Sequence, residues 1–275
     1  MMKAAVFVLI FGAVATEGFL FGGEKWDDLK VTWGLNPFSS SFFVSMPRTV
    51  DDALAAGWKP EKSCGEVNGD RYILNGDPAV LLVFNTDGKI AGIATKVPKG
   101  RFLHFPAGES ARYFEDEGDS YTLTAYFQDP NTVCTGARRS KRLATGDQLV
   151  ISQDEGYMNI PLVESGMENT EWTKGRCFVS MGQHYWLSGA GGVNEKTKKE
   201  DFAPIFLLYN RGKLNGFGFV LNAYLKSPRY EHPPASALGL FFANGTPKFL
   251  SDAAKSSGLT TMHVYLDSTP YFNNC

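Results

Sequence analysis

The stretch AVLLVFNTDGKIAGIATKV, Ala79 to Val97, and a second stretch IFLLYNRGKLNGFGFVLNA, Ile205 to Ala223, decide how this chain folds. Each opens on an unbroken apolar run, Val80 to Phe84 and Ile205 to Tyr209, as expected of a strand covered on both faces. A glycine turn follows, Asn85-Thr86-Asp87-Gly88 or Asn210-Arg211-Gly212, and then another β-rich run. This is the pattern of a β-hairpin, with glycine supplying the positive φ that the turn demands. Gly216-Phe217-Gly218-Phe219 alternates small and aromatic residues, which suits a strand pressed against a neighbouring backbone.

Aligned on their turns, the two stretches share Asn85, Gly88, Lys89 and Gly92 with Asn210, Gly212, Lys213 and Gly216. The likeness continues outward in both directions. Pro47 precedes Trp58 by the interval that separates Pro161 from Trp172, and Cys64, Gly69 and Tyr72 have the internal spacing of Cys177, Gly182 and Tyr185. Further on, His104-Phe105-Pro106 matches His232-Pro233-Pro234, Thr122 to Tyr126 matches Thr261 to Tyr265, and each copy closes on a cysteine, Cys134 or Cys275. Self-similarity in one order, carried by rare residue types, marks an internal repeat. The chain is expected to be all-β and mainly antiparallel with a few short helices. Its architecture is expected to be two tandem, internally duplicated β modules packed pseudo-symmetrically. The first module spans 16–137 and the second 143–275, with a basic linker at 138–142. Short helices are expected at Thr49 to Ala56 and Ser251 to Ser257, each with a hydroxyl N-cap and a following glycine, Gly57 or Gly258.

With 275 residues and 43% hydrophobic content, the chain has ample material for a folded core. A formal net charge of −2 gives no basic excess for neutralising phosphates, so nucleic acid is not an expected partner. The first 15 residues have the form of a signal peptide: Lys3, an apolar run from Ala4, and the small-x-small triplet Ala13-Val14-Ala15. That run is too short for a membrane span, which takes about 20 apolar residues. No membrane span is expected elsewhere, and the protein is read as secreted and extracellular.

An oxidising compartment makes disulfides the default for the four cysteines. Equivalent cysteines in equivalent modules favour Cys64–Cys134 with Cys177–Cys275, each closing a loop that stabilises its module by about 4–5 kcal/mol in the chain-entropy model. Cys64–Cys177 with Cys134–Cys275 respects the same symmetry and stays open. Asn244-Gly245-Thr246 is a glycosylation acceptor. Arg139, Lys141 and Arg142 lie in a basic stretch resembling a furin-type processing site, although a solvated basic linker has the same composition.

Residues present in only one copy are not demanded by the shared fold, which makes them candidates for function. Three of the four histidines, His184, His232 and His263, fall in the second module, with His184 in place of Arg71 and His263 in place of Thr124. Three imidazoles from separate segments suit a transition metal, Zn²⁺, Cu²⁺ or Fe²⁺, and an open fourth position would make the centre catalytic. Glu231 is then the candidate general base, or the partner that orients a ligand histidine. The second copy also carries a Gly-rich insertion, Trp186 to Gly192, expected as a lid, a ligand-binding loop or a plain surface loop. Glu115 to Asp119 lacks the alternation of an EF-hand and is expected as a solvated acidic loop. Trp26, Trp33, Trp172 and Trp186 are candidates for sugar stacking or for the core. The leading functional expectation is a secreted metal-dependent enzyme with a three-histidine centre. The alternative is a non-enzymatic extracellular binding or matrix protein with a small-molecule, glycan or protein ligand.

Overall fold

The computed structural model describes residues 26–36, 38–101, 108–136, 145–189 and 191–275. The signal-peptide reading (1–15), His104 and the basic stretch with Arg139, Lys141 and Arg142 lie outside the described residues.

The fold is mainly antiparallel β-sheet with a few short helices. Strands β1 (Lys30–Val31) and β2 (Val44–Ser45) open the described chain and lead to helix α1 (Val50–Ala55). Next come β3 (Trp58–Lys62), β4 (Asp70–Leu74), β5 (Asp77–Phe84), β6 (Ile90–Pro98), β7 (Glu115–Asp116) and β8 (Ser120–Tyr126). A hairpin of β9 (Leu149–Gln153) and β10 (Gly156–Ile160) precedes β11 (Trp172–Phe178), β12 (Gly182–Ser188), β13 (Phe202–Asn210) and β14 (Lys213–Leu221). Helices α2 (Ala235–Leu238) and α3 (Lys248–Lys255) then lead to β15 (Thr260–Tyr265).

Two sheets result, in the orders β10-β9-β8-β6-β5-β4-β3 and β11-β12-β13-β14-β15-β1-β2, with β7 added beside β8. Their registers agree position by position. Gly92 pairs with Val83 and Tyr126, as Gly216 pairs with Leu208 and Tyr265. Arg71 faces Val83 as His184 faces Leu208, and Tyr72 and Tyr185 follow in step. The repeat read from the sequence is therefore a repeat of hydrogen-bonded register. Both disulfides follow the symmetric within-copy pairing, Cys64–Cys134 and Cys177–Cys275.

The duplication has a twist that the sequence boundary hides. β9 and β10 follow the basic stretch in the chain yet pair with β8 and complete the first sheet. β1 and β2 lie at the start of the first module yet pair with β15 and complete the second sheet. Each half thus lends a hairpin to the sheet of the other. The division at 138–142 separates the two repeats of sequence but not the two sheets.

The inner faces of the sheets share one hydrophobic core. Leu82, Phe84 and Ile93 from the first sheet are buried in the same cluster as Leu207, Phe217 and Phe219 from the second. The Phe127 and Phe217 rings meet at 6.3 Å, and Thr95 Oγ1 lies 2.7 Å from Tyr230 Oη across the interface. Trp26 belongs to this core, its indole N–H donating to the Leu214 carbonyl 3.1 Å away. Trp186, too, is buried and donates to a backbone carbonyl, that of Phe241. Neither is an exposed stacking platform.

Helix α1 starts where its hydroxyl cap predicts, Thr49 Oγ1 accepting from the Asp52 N–H at 3.1 Å. Helix α3 begins three residues before Ser251, at Lys248, with Pro247 as its N-cap. The preset φ of Pro247 overrides the Ser251 hydroxyl as the starting signal.

The outer face of the first sheet is closed by charge. Arg71, 2% exposed, makes paired hydrogen bonds of 2.6 and 2.7 Å to Glu117, which also receives Lys62, while Lys96 and Arg71 both reach Glu61. The acidic run expected as a solvated loop is instead half folded in. The alternation of β7 leaves Asp116 exposed while Glu115 accepts from Ser152 Oγ and the next alternate residue, Glu117, meets Arg71. Burial acts to raise the Glu117 pKa, but hydrogen bonds from Arg71 and Lys62 outweigh it and hold the carboxyl well below the usual range.

Two outcomes test this architecture. If 138–142 is replaced by the recognition sequence of a specific protease, cutting should give two fragments on a non-reducing denaturing gel but a single species of unchanged size under native conditions. Fragments that separate without denaturant would exclude interleaved sheets. Glu117→Ala should cost about 3 kcal/mol, because it removes the paired hydrogen bonds of a buried guanidinium and leaves it Glu61 alone. Since the folded-state pKa of Glu117 is depressed, its contribution is full above about pH 4.3 and is lost as pH falls below that value. Glu117→Gln should accordingly flatten the acid limb of urea-unfolding curves.

Candidate functional site

The corresponding outer face of the second sheet is apolar and hollow. One cross-strand row runs Trp186, Phe206, Gly218, His263 and Thr32, where the first sheet has Ile73, Leu81, Ala94, Thr124 and Ser152. Gly218 allows the row to pack: a Cβ there would run into the Phe206 ring and the Met262 carbonyl. Aromatic bulk on one strand is thus accommodated by its absence on the next. Above this floor stand α2, the Phe241-Phe242 segment and the loop from Trp33 to Phe42, enclosing a cavity of about 680 Å³.

That loop is an elaboration of the repeat. In the first sheet the β9–β10 hairpin turns through Asp154 and Glu155 alone, whereas the equivalent β1–β2 hairpin extends through Trp33 to Phe42. Thr32 and Phe43 at its base both have positive φ, at 71° and 50°. The loop adds Trp33, Leu35 and Phe42 to the cavity wall, and Leu35 is 77% exposed at the rim. Sequence reading missed this wall. Its available signal was the extra length between two segments whose counterparts are joined by a tight turn.

His184, His232, His263 and Glu231 all line this cavity. His184 is 1% exposed, stacks on Trp186 at 5.8 Å, and directs Nδ1 to the Arg176 carbonyl at 3.1 Å. A carbonyl only accepts, so the ring carries its proton on Nδ1. Burial, with His263 as a second and weaker cause, pushes its pKa down to about 3. His232 is exposed, stacks on Tyr224 at 4.3 Å and points Nδ1 at the Leu259 carbonyl. His263 is nearly buried and places Nδ1 3.0 Å from Glu231 Oε2.

The sequence placed Glu231 beside His232; the fold gives it to His263. Tyr230 turns inward to Thr95, so the next residue, Glu231, turns outward. It is held there by an isolated bridge to Thr261. Its carboxylate is fully engaged. Oε1 accepts from the backbone N–H of Trp33 (2.7 Å) and of His263 (3.2 Å), and Oε2 accepts from Thr261 Oγ1 (2.8 Å) beside His263 Nδ1. Burial acts to raise its pKa; the His263 charge and these hydrogen bonds outweigh it and hold the carboxyl below its ordinary value.

Glu231 has a structural counterpart in the first copy. Glu115 pairs with Thr122 as Glu231 pairs with Thr261, and each carboxylate also reaches the neighbouring hairpin, at Ser152 of β9 or at Trp33 in the loop after β1. The His104 match had concealed this, because it set Glu231 against a different segment. The carboxylate is therefore common to both copies, while the imidazoles of His184 and His263 are particular to the second.

As for the metal reading, the His184 and His263 ring centroids stand 6.4 Å apart and His232 sits at the exposed rim. Among the described residues, no group of three or more His, Cys, Asp or Glu side chains is placed to hold a metal ion. The Gly-rich segment lies elsewhere: Gly189, Gly191 and Gly192 border a separate polar depression with Asn194 and Asp201. Asn244 of the glycosylation acceptor is exposed in the bend before α3.

Comparison with protein-family models, with curated proteins and with solved structures returns no match.

The buried neutral imidazole has a measurable signature. His184 takes up a proton at about pH 6.5 when unfolded but only near pH 3 when folded. Its contribution to stability is therefore full above about pH 6.5 and is lost progressively as pH falls toward 3. His184→Gln should reduce the slope of unfolding free energy against pH across that window. An unchanged slope would mean that the ring is not held neutral.

Proposed function

We propose that this is a secreted extracellular protein that binds an apolar small molecule in the cavity over its second sheet. The observation that carries this reading is the cavity itself. It is large enough for a small organic ligand, walled by Phe178, Phe206, Phe241, Phe242 and Trp186, and has few polar groups, among them His263 and Glu231. Small-molecule sites have this composition, with apolar walls for affinity and a few fixed polar groups for orientation. The first copy strengthens the reading by contrast. At Arg71, Lys96 and Thr124, the positions equivalent to His184, Val220 and His263, it carries residues that fill or charge the same face.

Secretion draws support from the leader-like start, the two disulfides and the exposed Asn244 acceptor. Among the described residues no helix is long and apolar enough to cross a membrane. The three-histidine enzyme reading, with Zn²⁺, Cu²⁺ or Fe²⁺, gains from the meeting of three imidazoles at one cavity. It lacks a convergent donor set, so ligand binding is the better supported of the two.

Displacement of an environment-sensitive apolar fluorophore tests the proposal. The secreted protein should bind the dye with micromolar affinity, and Ala237→Phe, which projects a ring from α2 into the cavity, should weaken binding at least about tenfold, or about 1.4 kcal/mol. Unchanged affinity in a folded Ala237→Phe variant would place the dye elsewhere. Metal content measured on the same preparation addresses the enzyme reading directly.

A further inference from the structure

The polar groups of the cavity identify the chemistry of its ligand, on the premise that the cavity binds an apolar small molecule. Most of them are already engaged. Thr32 Oγ1 donates to the Arg229 carbonyl, Thr261 Oγ1 to Glu231, and His184 Nδ1 to the Arg176 carbonyl. Both Glu231 oxygens are occupied by protein donors. His263 gives Nδ1 to Glu231, so Nε2 is its own ring nitrogen left for a ligand, on a side chain 8% exposed in the cavity wall; of the other two imidazoles, His184 is only 1% exposed and His232 stands at the exposed rim.

A ligand seated on this floor must satisfy that nitrogen, since a buried polar atom left without a partner costs about 1–3 kcal/mol. A carboxylate is a poor match. It would give up its hydration to aromatic walls and approach Glu231, whose carboxylate already balances the charge on His263. A cation finds both oxygens of Glu231 taken and His263 between. A hydroxyl carries no charge and both donates and accepts, so it fits Nε2 whether that nitrogen bears a proton or a lone pair. We propose that the ligand is an uncharged apolar alcohol or phenol, its hydrocarbon body against the aromatic walls and its hydroxyl hydrogen-bonded to Nε2 of His263. Glu231 acts as a positioning residue. By holding Nδ1 it fixes the orientation of the ring and directs Nε2 to the ligand.

Three probes sharing one ring system test the proposal on the intact secreted protein: naphthol, methylnaphthalene and naphthoate, with matching substitution. Naphthol should bind more tightly than naphthoate. His263→Leu should weaken naphthol about tenfold and leave methylnaphthalene within about twofold, the difference expected for one buried hydrogen bond. In the unaltered protein, the nitrogen NMR resonance of His263 Nε2 should move on adding naphthol and stay in place with methylnaphthalene, which keeps the test independent of how well the variant folds. If naphthol and methylnaphthalene lose affinity equally in His263→Leu and neither moves the Nε2 resonance, the hydroxyl assignment falls while the cavity reading stands. Preferred binding of naphthoate overturns the uncharged-ligand assignment. Failure of all three probes to bind overturns the cavity reading along with it.

Discussion

The pairing of β8 with β9 and of β15 with β1 is the interaction on which everything else in this molecule depends. Each pairing adds to a sheet a hairpin supplied by the opposite half of the chain. The two sheets must consequently form together, because neither is complete until both halves are present. The shared core follows from the same constraint. Trp26, Leu29 and Val31 on one lent segment, and Leu149 and Ile151 on the other, are buried in a single cluster with the inner faces of both sheets. Such long-range contacts close large loops, and their entropic cost is offset only when the whole interface is assembled. The disulfides each lie within one half, so neither bridge joins the halves, and their packing rests on strand pairing and apolar burial.

Strand content and the repeat were legible in the sequence because they are written in local pattern. The continuous burial of β5 and β13 is the structural form of their unbroken apolar runs, and Asn210-Arg211-Gly212 makes a tight hairpin in which Arg211 and Gly212 both have positive φ. The disulfide pairing was legible in part and for a different reason: symmetry reduced the choices to two, of which the within-copy pairing was favoured and is the one formed. The hairpin exchange was not legible, because β1 and β9 are short strands whose partners are set by tertiary packing rather than by residue pattern. The start of α3 was missed because Pro247 and Ser251 offer competing signals.

For the site, the sequence directed attention to the right residues on an incomplete argument. Absence from one copy singled out His184 and His263, and the register places them at Arg71 and Thr124 positions on the same outer face. What it lacked was the surrounding wall. Phe178, Phe241 and Phe242 look like ordinary core aromatics in a linear reading, and the Trp33 to Phe42 loop looks like a linker. A cavity arises from what several segments fail to fill. That property belongs to the packing of the segments and appears in no single motif.

The two outer faces show how a duplicated sheet can take up separate duties. A carboxylate stands at the same register position in each, Glu115 and Glu231, and in each it ties the strand equivalent to β8 to the hairpin lent by the other half. That tie is needed wherever the lent hairpin is needed, so its basis is structural and is shared by both copies. Once the carboxylate is fixed by backbone donors, the residue across from it is free to vary. A threonine there leaves the first face to be closed by Arg71 and Glu117; an imidazole is oriented by a carboxylate that backbone donors already hold in place. The second face therefore acquired a directed nitrogen at the floor of an apolar hollow by building on a clamp that the fold already required.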